Sequence, residues 1–317
     1  MSSQFVDINA DKKRDILVGS FSGVPQIIMG MNKGFSPPES VMDKSGETVL
    51  INAFWNYDDK KWDKTDRSKS EGHCTSVAAV DWDNDGDLDL ILGDYYGGRL
   101  FYRLNEGTKT EPKFSKTNMP VLTEGEPIVI KDGLAAPRVV DWNGDGRFDI
   151  LCGGSKGGVF AFINKGTKTE PKFKQPQTLI APIEDKTNSY IKLVPGKDGL
   201  PTLPGSSYHI EAVDYDRDGD LDLLVGARSS WKKENARKLT DKEKEELAKI
   251  VEERKEVMTE YTKLFADIKN QDEQKKVMES KEFKAMQKKL SALFQKEQKY
   301  NVDPNMSGDF VWLYRRN

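Results

Sequence analysis

The sequence contains little cysteine and little histidine, two of each in 317 residues. Cys74 and Cys152 are far apart and form no CxxC pair, so the sequence indicates neither a disulfide framework nor a zinc site. Cys152 lies in an apolar run, where we expect a buried free thiol. A single disulfide between the two cysteines is the minor alternative.

The chain also lacks a long apolar run and a strong net charge. No run approaches the roughly 20 apolar residues of a membrane-spanning helix. The first residues, MSSQFVDIN, lack the basic and apolar regions of a signal peptide, although a secreted chain that has lost its leader would read the same way. The 49 lysines and arginines nearly balance the 52 acids, which argues against nucleic-acid binding and membrane insertion.

Motifs of common hydrolases and nucleotide-binding proteins are missing as well. The sequence contains no GxSxG, no HExxH and no glycine-rich phosphate loop that opens a helix. The two histidines, His73 and His209, each come shortly before one of the acidic motifs described next. We therefore predict no catalytic residue.

What the sequence does contain is a nine-residue acidic motif, present four times. Residues 81–89 read DWDNDGDLD, and the motif returns as DWNGDGRFD at 141–149, DYDRDGDLD at 214–222 and DINADKKRD at 7–15. Acidic or amide side chains occupy positions one, three, five and nine, and glycine occupies position six in three copies. Such a loop can surround a hard cation such as calcium, which takes six to eight oxygen ligands.

The spacing assigns a ligand set to each loop. Side chains at positions one, three and five converge if the chain curls tightly, and glycine at six permits the left-handed turn that points the carbonyl of position seven inward. An EF-hand is excluded, because position twelve is Leu92, Cys152 or Val225 instead of glutamate. The predicted calcium ligands of these three loops, with position seven contributing its carbonyl, are Asp81, Asp83, Asp85, Asp87, Asp89, Asp141, Asn143, Asp145, Arg147, Asp149, Asp214, Asp216, Asp218, Asp220 and Asp222.

The first loop keeps the ligand spacing but changes the charge. Lys12 replaces the glycine and Lys13 supplies the seventh carbonyl. A lysine can adopt positive φ at a cost of about 1 kcal/mol. Two alternatives stay open for this loop: a fourth calcium ion, or neutralisation of the acidic cluster by an ammonium. Its side-chain ligand positions are Asp7, Asn9, Asp11 and Asp15.

Sequence similarity extends beyond the loops. Each loop runs into a strand-like phrase, DILVG, DLILG, DILCG or DLLVG, and then into a second apolar run. The octet GTKTEPKF follows twice, at 107–114 and 166–173. Successive loops start 74, 60 and 73 residues apart, room for about four short strands each, which is typical of β-propeller blades. The second apolar runs end at Asn32, Asn105, Asn164 and Asn317.

The phrases DWDNDGDLDLILG, DWNGDGRFDILCG and DYDRDGDLDLLVG resemble the FG-GAP or VCBS repeat of integrin α-chain heads and many bacterial secreted proteins. The resemblance covers most of residues 1–230 and the strand at 309–317. It implies a β-propeller in which the metal loop joins the first two strands of each blade, and an extracellular or periplasmic origin. Because this repeat serves many roles, it leaves the function open.

The repeats leave the number of blades open. Four loops predict a compact four-bladed ring whose last blade ends at Asn317 with three strands. A seven- or eight-bladed ring is the alternative, and it would require assembly of several chains, since exposed sheet edges must be covered.

Residues 232–300 interrupt the fourth blade with a helical pattern. Thr240 and Glu243 have capping-box spacing, and apolar residues then recur at helical intervals in two stretches separated by the polar NQDEQ. We predict an all-β chain with a β-propeller at 1–231, an inserted α-helical hairpin at 232–300 and a closing strand at 301–317. The hairpin packs on its own apolar stripe in one interpretation, and binds a partner or a second copy in the other.

From these features we expect a secreted or periplasmic-type binding module in which calcium ions act as structural clips. The expected partner is a protein or a glycan. The alternatives are a polysaccharide- or ester-acting hydrolase or lyase that uses the propeller channel, and a scaffold that self-assembles through the helical hairpin. Ligand contacts are predicted where the repeats differ, at Trp55, Tyr57, Trp62, His73 and His209.

Overall fold

The computed structural model describes residues 3–51, 54–56, 61–63, 74–131, 133–183, 192–193, 196–197, 199–232, 239–265, 277–300 and 305–316. The chain divides into two compact units. The first comprises Met1–Leu193, Pro201–Ser230 and Ser307–Asn317, and the second comprises Val194–Leu200 and Trp231–Met306.

Four antiparallel sheets, the blades, make up most of the first unit. Blade 1 contains β1 (Ser3–Val6), β2 (Asp15–Val18), β3 (Gln26–Ile28) and β4 (Glu39–Ser40) in this spatial order. A short hairpin of β5 (Phe54–Asn56) and β6 (Lys61–Asp63) follows. Blade 2 contains β7 (Cys74–Val80), β8 (Asp89–Asp94), β9 (Leu100–Arg103) and β10 (Met119–Pro120).

The second half of the propeller repeats this plan. A hairpin of β11 (Leu122–Thr123) and β12 (Glu126–Pro127) leads to blade 3. Blade 3 contains β13 (Ala136–Val140), β14 (Asp149–Gly153), β15 (Val159–Phe162) and β16 (Gln177–Ile180). Blade 4 contains β17 (Lys192–Leu193), β18 (Ser206–Val213), β19 (Asp222–Lys232) and β20 (Asn305–Tyr314), with β17, β18 and β20 all paired to β19. The predicted all-β, four-blade propeller arrangement is confirmed, but the prediction of three strands in the last blade is wrong, because β17 (Lys192–Leu193) adds a fourth strand.

Apolar residues of consecutive blades pack into three separate cores. Alternate residues of a strand point to opposite faces of the sheet, so a blade in the middle of the series presents an apolar surface to each neighbour. The central strand β8 is accordingly buried along its whole length. The described residues form no comparable core between blade 4 and blade 1. The core between blades 1 and 2 contains Leu17 and Val77, and the core between blades 2 and 3 contains Ile91 and Ile150. The core between blades 3 and 4 contains Val159 and Val225.

Polar contacts connect the first strands of the blades. The side chain of Gln4 exchanges two hydrogen bonds with the backbone of Ala79, which joins blade 1 to blade 2. Arg138, on β13, donates from Nε to Glu211 at 2.9 Å and from Nη2 to the Ser3 carbonyl at 2.7 Å. Arg138 therefore connects blade 3 to both blade 4 and blade 1.

The second unit contains two helices, α1 (Asp241–Lys263) and α2 (Lys281–Gln298), so the predicted helical insertion is confirmed. Thr240 and Glu243 form the expected capping box at the start of α1. The helices pack on each other, with the rings of Tyr261 and Phe283 5.4 Å apart and Arg254 Nε 2.8 Å from Glu297. Neither described helix is long and apolar enough to cross a membrane.

Two repeat positions differ from the sequence alignment. The backbone N–H that bonds to the ninth aspartate belongs to Gly30 in blade 1 and to Arg316 in blade 4. Asn32 is therefore not the equivalent residue, and Asn317 lies outside the described residues. Gly30 forms a bridge to Phe35 and closes a shorter loop than in blades 2 and 3, which is why an alignment on asparagine is wrong here.

Cys152 is a free thiol, fully buried in β14, as the sequence predicted. The alternative of a disulfide is wrong. Burial raises the pKa of this thiol well above its ordinary value, so the group stays protonated at neutral pH. Because the thiolate is the reactive form of cysteine, Cys152 has a packing role.

Candidate metal loops

Each acidic motif forms the loop between the first and second strands of its blade. Position six has positive φ in all four loops: 69° at Lys12, 96° at Gly86, 81° at Gly146 and 100° at Gly219. This conformation suits glycine. Lys12 adopts it as well, as expected, at a cost of about 1 kcal/mol.

The carboxylate at position nine is buried in every blade and joins the loop to the strands. In blade 3, Asp149 accepts hydrogen bonds from the backbone N–H of Trp142 at 3.1 Å and of Asn164 at 2.7 Å. Sequence reasoning treated position nine only as a metal ligand and missed this role. The sequence contained a signal for this role, because position nine is aspartate in all four loops, including the first, in which lysine replaces the glycine of position six. Equivalent pairs of bonds are accepted by Asp15, Asp89 and Asp222.

The first carboxylate of the motif divides the loops into two pairs. In blades 1 and 3, both oxygens of Asp7 and of Asp141 accept backbone N–H groups, at 2.7 to 3.0 Å. In blades 2 and 4, only Oδ2 of Asp81 and of Asp214 does so, at 3.2 Å. The Oδ1 atoms of Asp81 and Asp214 are buried and have no hydrogen-bond partner among the described residues.

Carboxylates converge in the loops of blades 2 and 4. Within each of two groups of three aspartates, one oxygen from each side chain lies within 4.8 Å of the others. Oxygen atoms are the ligands that calcium prefers, and like charges this close repel each other without a cation. The groups are Asp81, Asp83 and Asp89 in blade 2, and Asp214, Asp216 and Asp218 in blade 4.

Electrostatics in the blade 2 loop favour a bound cation. Burial raises the pKa of Asp89 to about 7, even though two backbone N–H groups lower it, and the charges of Asp83 and Asp87 raise it further. Burial, followed by the charge of Asp85, raises the pKa of Asp87 as well. The fully ionised loop is therefore unfavourable until a positive charge enters it.

The loops of blades 1 and 3 contain a positive charge of their own. In blade 1, Lys13 Nζ lies 2.9 Å from Asp11 Oδ2, and this hydrogen bond lowers the pKa of Asp11. In blade 3, the guanidinium of Arg147 pairs with Asp145. Both cations occupy position seven of their loops and contact the aspartate at position five. In blades 2 and 4, positions five and seven are both aspartate.

The loops of blades 2 and 4 therefore fit a divalent cation with oxygen ligands. Asp85 and Asp87 in blade 2, and Asp220 and Asp222 in blade 4, lie outside the two groups of converging carboxylates. Ions in the Asp141 and Asp7 loops stay predictions, because the internal cations already neutralise part of the acidic charge there.

The aromatic residues at position two pack inside the propeller. Trp82 is buried and stacks on Tyr102 with ring centroids 4.8 Å apart, and Trp142 is also buried. Tyr215 is the exception, with 56% of its surface exposed. Packing is therefore the role of Trp82 and Trp142.

The predicted ligand-binding residues lie only partly within the described structure, so their grouping into one site stays a prediction. Trp55 and Trp62 are opposite each other in the β5–β6 hairpin, whereas Tyr57 and His73 lie outside the described residues. His209 lines a cavity of about 670 Å³. Burial, together with nearby positive charges, lowers the pKa of His209 to about 4, so its imidazole is neutral at physiological pH.

Comparison with known proteins identifies the repeat. A family model described as an FG-GAP-like repeat matches residues 7–92 and 141–225, together more than half of the chain. No curated protein matches the sequence. A solved structure of an Agrocybe aegerita lectin, described as recognising non-reducing terminal N-acetylglucosamine, covers 72% of this chain at 14% identity and a TM-score of 0.32. The chain covers about half of that lectin, 48%, and a TM-score this low carries no argument about fold or ligand.

Proposed function

Because the chain belongs to the FG-GAP-like repeat family, we propose that it is an extracellular binding module stabilised by calcium. The observation that carries the proposal is the buried Oδ1 of Asp81 and of Asp214, which has no hydrogen-bond partner among the described residues. A buried charged oxygen without a partner is costly. A calcium ion would supply the missing partner in both loops and a positive charge in blade 2, whereas in blade 4 Asp216 Oδ2 already lies 3.7 Å from Arg315 Nη1.

The chain's own residues would hold and support two ions. One ion would bind to Asp81, Asp83 and Asp89, and the other to Asp214, Asp216 and Asp218. In blade 2, Asp89 also fixes the loop to its strands, because its two oxygens accept the backbone N–H groups of Trp82 and Asn105. Calcium contributes charge and oxygen coordination, and the bound ion would act as a structural clip.

An extracellular location is supported by the family, whose members are typically extracellular. Free calcium is abundant outside cells, and extracellular modules bind it with dissociation constants of about 10⁻⁴ to 10⁻³ M. Sites in which most of the converging aspartates are partly or fully exposed suit this range better than the tighter binding of intracellular calcium buffers. The proposal therefore includes weak calcium sites that are filled outside the cell.

We further propose that the propeller binds a protein or glycan and is not an enzyme. The support is the sequence, which contains no catalytic motif, and the family, whose propellers generally serve as protein-interaction modules. Candidate contacts are the residues in which the blades differ. They include Trp55 and Trp62 of the β5–β6 hairpin and His209 at the cavity.

Isothermal titration with calcium tests the ion sites. We expect two ions per chain, with dissociation constants of about 10⁻⁴ to 10⁻³ M. Asp83→Ala and Asp216→Ala should each reduce the stoichiometry to one. Asn143→Ala, at the same loop position in blade 3, should leave it at two. Absence of calcium binding, or two ions in Asp83→Ala, would contradict the assignment, and sub-micromolar affinity would contradict the extracellular proposal.

A further inference from the structure

A groove lies between blade 2 and blade 3, beside the metal loop of blade 2. It encloses a cavity of about 340 Å³, near the lower limit of about 300 Å³ for small-molecule pockets in proteins. Its walls come from blade 2, from the start of the β11–β12 hairpin and from the octet 166–173 of blade 3. A cavity of this size suits a ligand of about one ring.

Apolar groups form much of the cavity wall. Leu104, Leu122 and Pro171 line the cavity together with the ring of Tyr102. Leu122 is 42% exposed, although its side chain is apolar. A ligand that covered these groups would remove apolar surface from water, which is favourable.

Two hydrogen-bond donors line the same cavity. The ring of Trp82 packs on Tyr102, and Trp82 is only 6% exposed, but its indole N–H forms no hydrogen bond with a described residue. The hydroxyl of Tyr102 forms none either, and burial raises its pKa, so the group stays protonated and can donate. A nearly buried donor without a partner is costly, and an acceptor on a ligand would remove that cost.

Two carboxylates supply acceptors. Asp83 lines the cavity from the metal loop, and Glu170 lines it from the octet. Neither side chain forms an ion pair with a described residue, and the one hydrogen bond to Asp83 comes from the backbone N–H of Asp85 at 3.3 Å. The cavity therefore offers both donors and acceptors to a ligand.

This combination discriminates between classes of ligand. The carboxylates of Asp83 and Glu170 would repel an anion, whereas a simple cation could not accept the hydrogen bonds of Trp82 and Tyr102. A hydroxyl group both donates and accepts. A pyranose ring carries several hydroxyl groups around an apolar C–H face, so it matches the polar and the apolar parts of the wall together.

The octet that forms one wall of the groove also occurs, unchanged, in blade 2 at 107–114. It has the same place there, because Phe114 forms a parallel bridge to Asp43 as Phe173 does to Thr123. The octet alone therefore does not distinguish the groove between blades 2 and 3 from the preceding one.

The preceding blade contributes different residues to the two grooves. Blade 1 has Ile8 where blade 2 has Trp82, and the strand register places Ile27 where blade 2 has Tyr102. Isoleucine can neither donate nor accept a hydrogen bond with its side chain. Both donors are therefore specific to the groove between blades 2 and 3.

We propose that the groove between blades 2 and 3 binds a pyranose unit of a glycan. The inference rests on the proposed binding function and assigns it a site and a class of ligand. Sugar hydroxyl groups accept hydrogen bonds from Trp82 and Tyr102. Other hydroxyl groups donate to the carboxylates of Asp83 and Glu170, and the C–H face of the ring lies against Pro171.

A glycan array followed by titration tests the proposal. The full-length protein, labelled with a fluorophore, is applied in calcium to an array of pyranose glycans, and the sugar that binds best is titrated by calorimetry as its methyl glycoside. We expect saturable, one-to-one binding. Glu170→Ala should weaken it about tenfold or more, because a hydrogen bond to a charged group is lost, and Tyr102→Phe should weaken it about two- to tenfold.

Glu111→Ala is the matched control, because Glu111 occupies the same octet position in blade 2. Glu111 and Glu170 are both exposed, so both alanine variants should melt like the wild type, and Glu111→Ala should keep the wild-type affinity. Absence of binding to any pyranose glycan, unchanged affinity in Glu170→Ala, or an equal loss in Glu111→Ala would overturn the proposal. If two calcium ions bind while no glycan does, the site and ligand class assigned here are wrong and the calcium-stabilised module stands.

Discussion

Removal of calcium is expected to lower the melting temperature of the propeller by roughly 6 to 20 °C. The unfolded chain has no preformed site, so each ion that binds the folded loops stabilises the fold. In about 10 mM calcium, which is roughly 10- to 100-fold above the proposed dissociation constants, one site contributes about 1.4 to 2.7 kcal/mol to the free energy of unfolding, and two independent sites contribute about 3 to 5 kcal/mol. For a domain of this size, 1 kcal/mol shifts the melting temperature by roughly 2 to 4 °C. Calorimetric scans in about 10 mM calcium and in excess chelator measure the difference.

Variants in individual loops show which ions cause the shift. Asp83→Ala and Asp216→Ala should each remove about half of the calcium-dependent increase. Asn143→Ala should retain all of it, because the blade 3 loop contains the guanidinium of Arg147. Equal melting temperatures in calcium and in chelator would contradict the proposal that the ions are structural clips.

Replacement of Asp149 by alanine is expected to lower the free energy of unfolding by about 2 to 6 kcal/mol. Asp149 is fully buried, and its carboxylate accepts the backbone N–H groups of Trp142 and Asn164. Alanine leaves both N–H groups buried without a partner, and each such group costs about 1 to 3 kcal/mol. Urea unfolding in excess chelator measures the change with calcium binding excluded.

Asp145 provides the matched control in the same loop. Its carboxylate is partly exposed and pairs with Arg147, so Asp145→Ala should change the free energy of unfolding by no more than about 1 kcal/mol. Asp149→Asn keeps one acceptor oxygen and should fall between the two variants. A loss in Asp149→Ala no larger than in Asp145→Ala would show that the buried hydrogen bonds contribute little.

The propeller could be predicted from the sequence because its repeat is marked by residues with strict local requirements. The acidic motif fixes the turn between the first two strands, and the phrase that starts at Asp89 or Asp149 fixes the start of the second strand. The capping box at Thr240 and Glu243 fixed the start of the inserted helix in the same way. All these signals act between residues that are close in sequence.

The difference between the two pairs of loops could not be predicted in the same way. In a calcium loop, position seven contributes its backbone carbonyl, so the sequence pattern predicted no role for the side chains of Lys13 and Arg147. Their contacts with Asp11 and Asp145 depend on where the folded loop directs them. The equivalence of Gly30 to Asn105 and Asn164 could not be predicted either, because it depends on the hydrogen bond from Gly30 N to Asp15 and not on a residue type.

The Arg138 contacts have a consequence for how the propeller opens. Local opening requires least free energy where few apolar contacts are lost. Three of the blade junctions contain an apolar core, whereas between blade 4 and blade 1 the described residues offer hydrogen bonds of one guanidinium, to Glu211 and to Ser3. Arg138 thus provides the polar contacts at this junction, whereas the other three junctions contain apolar cores. Loss of these hydrogen bonds would widen the ring between blade 4 and blade 1 and leave the three apolar cores of the described residues intact.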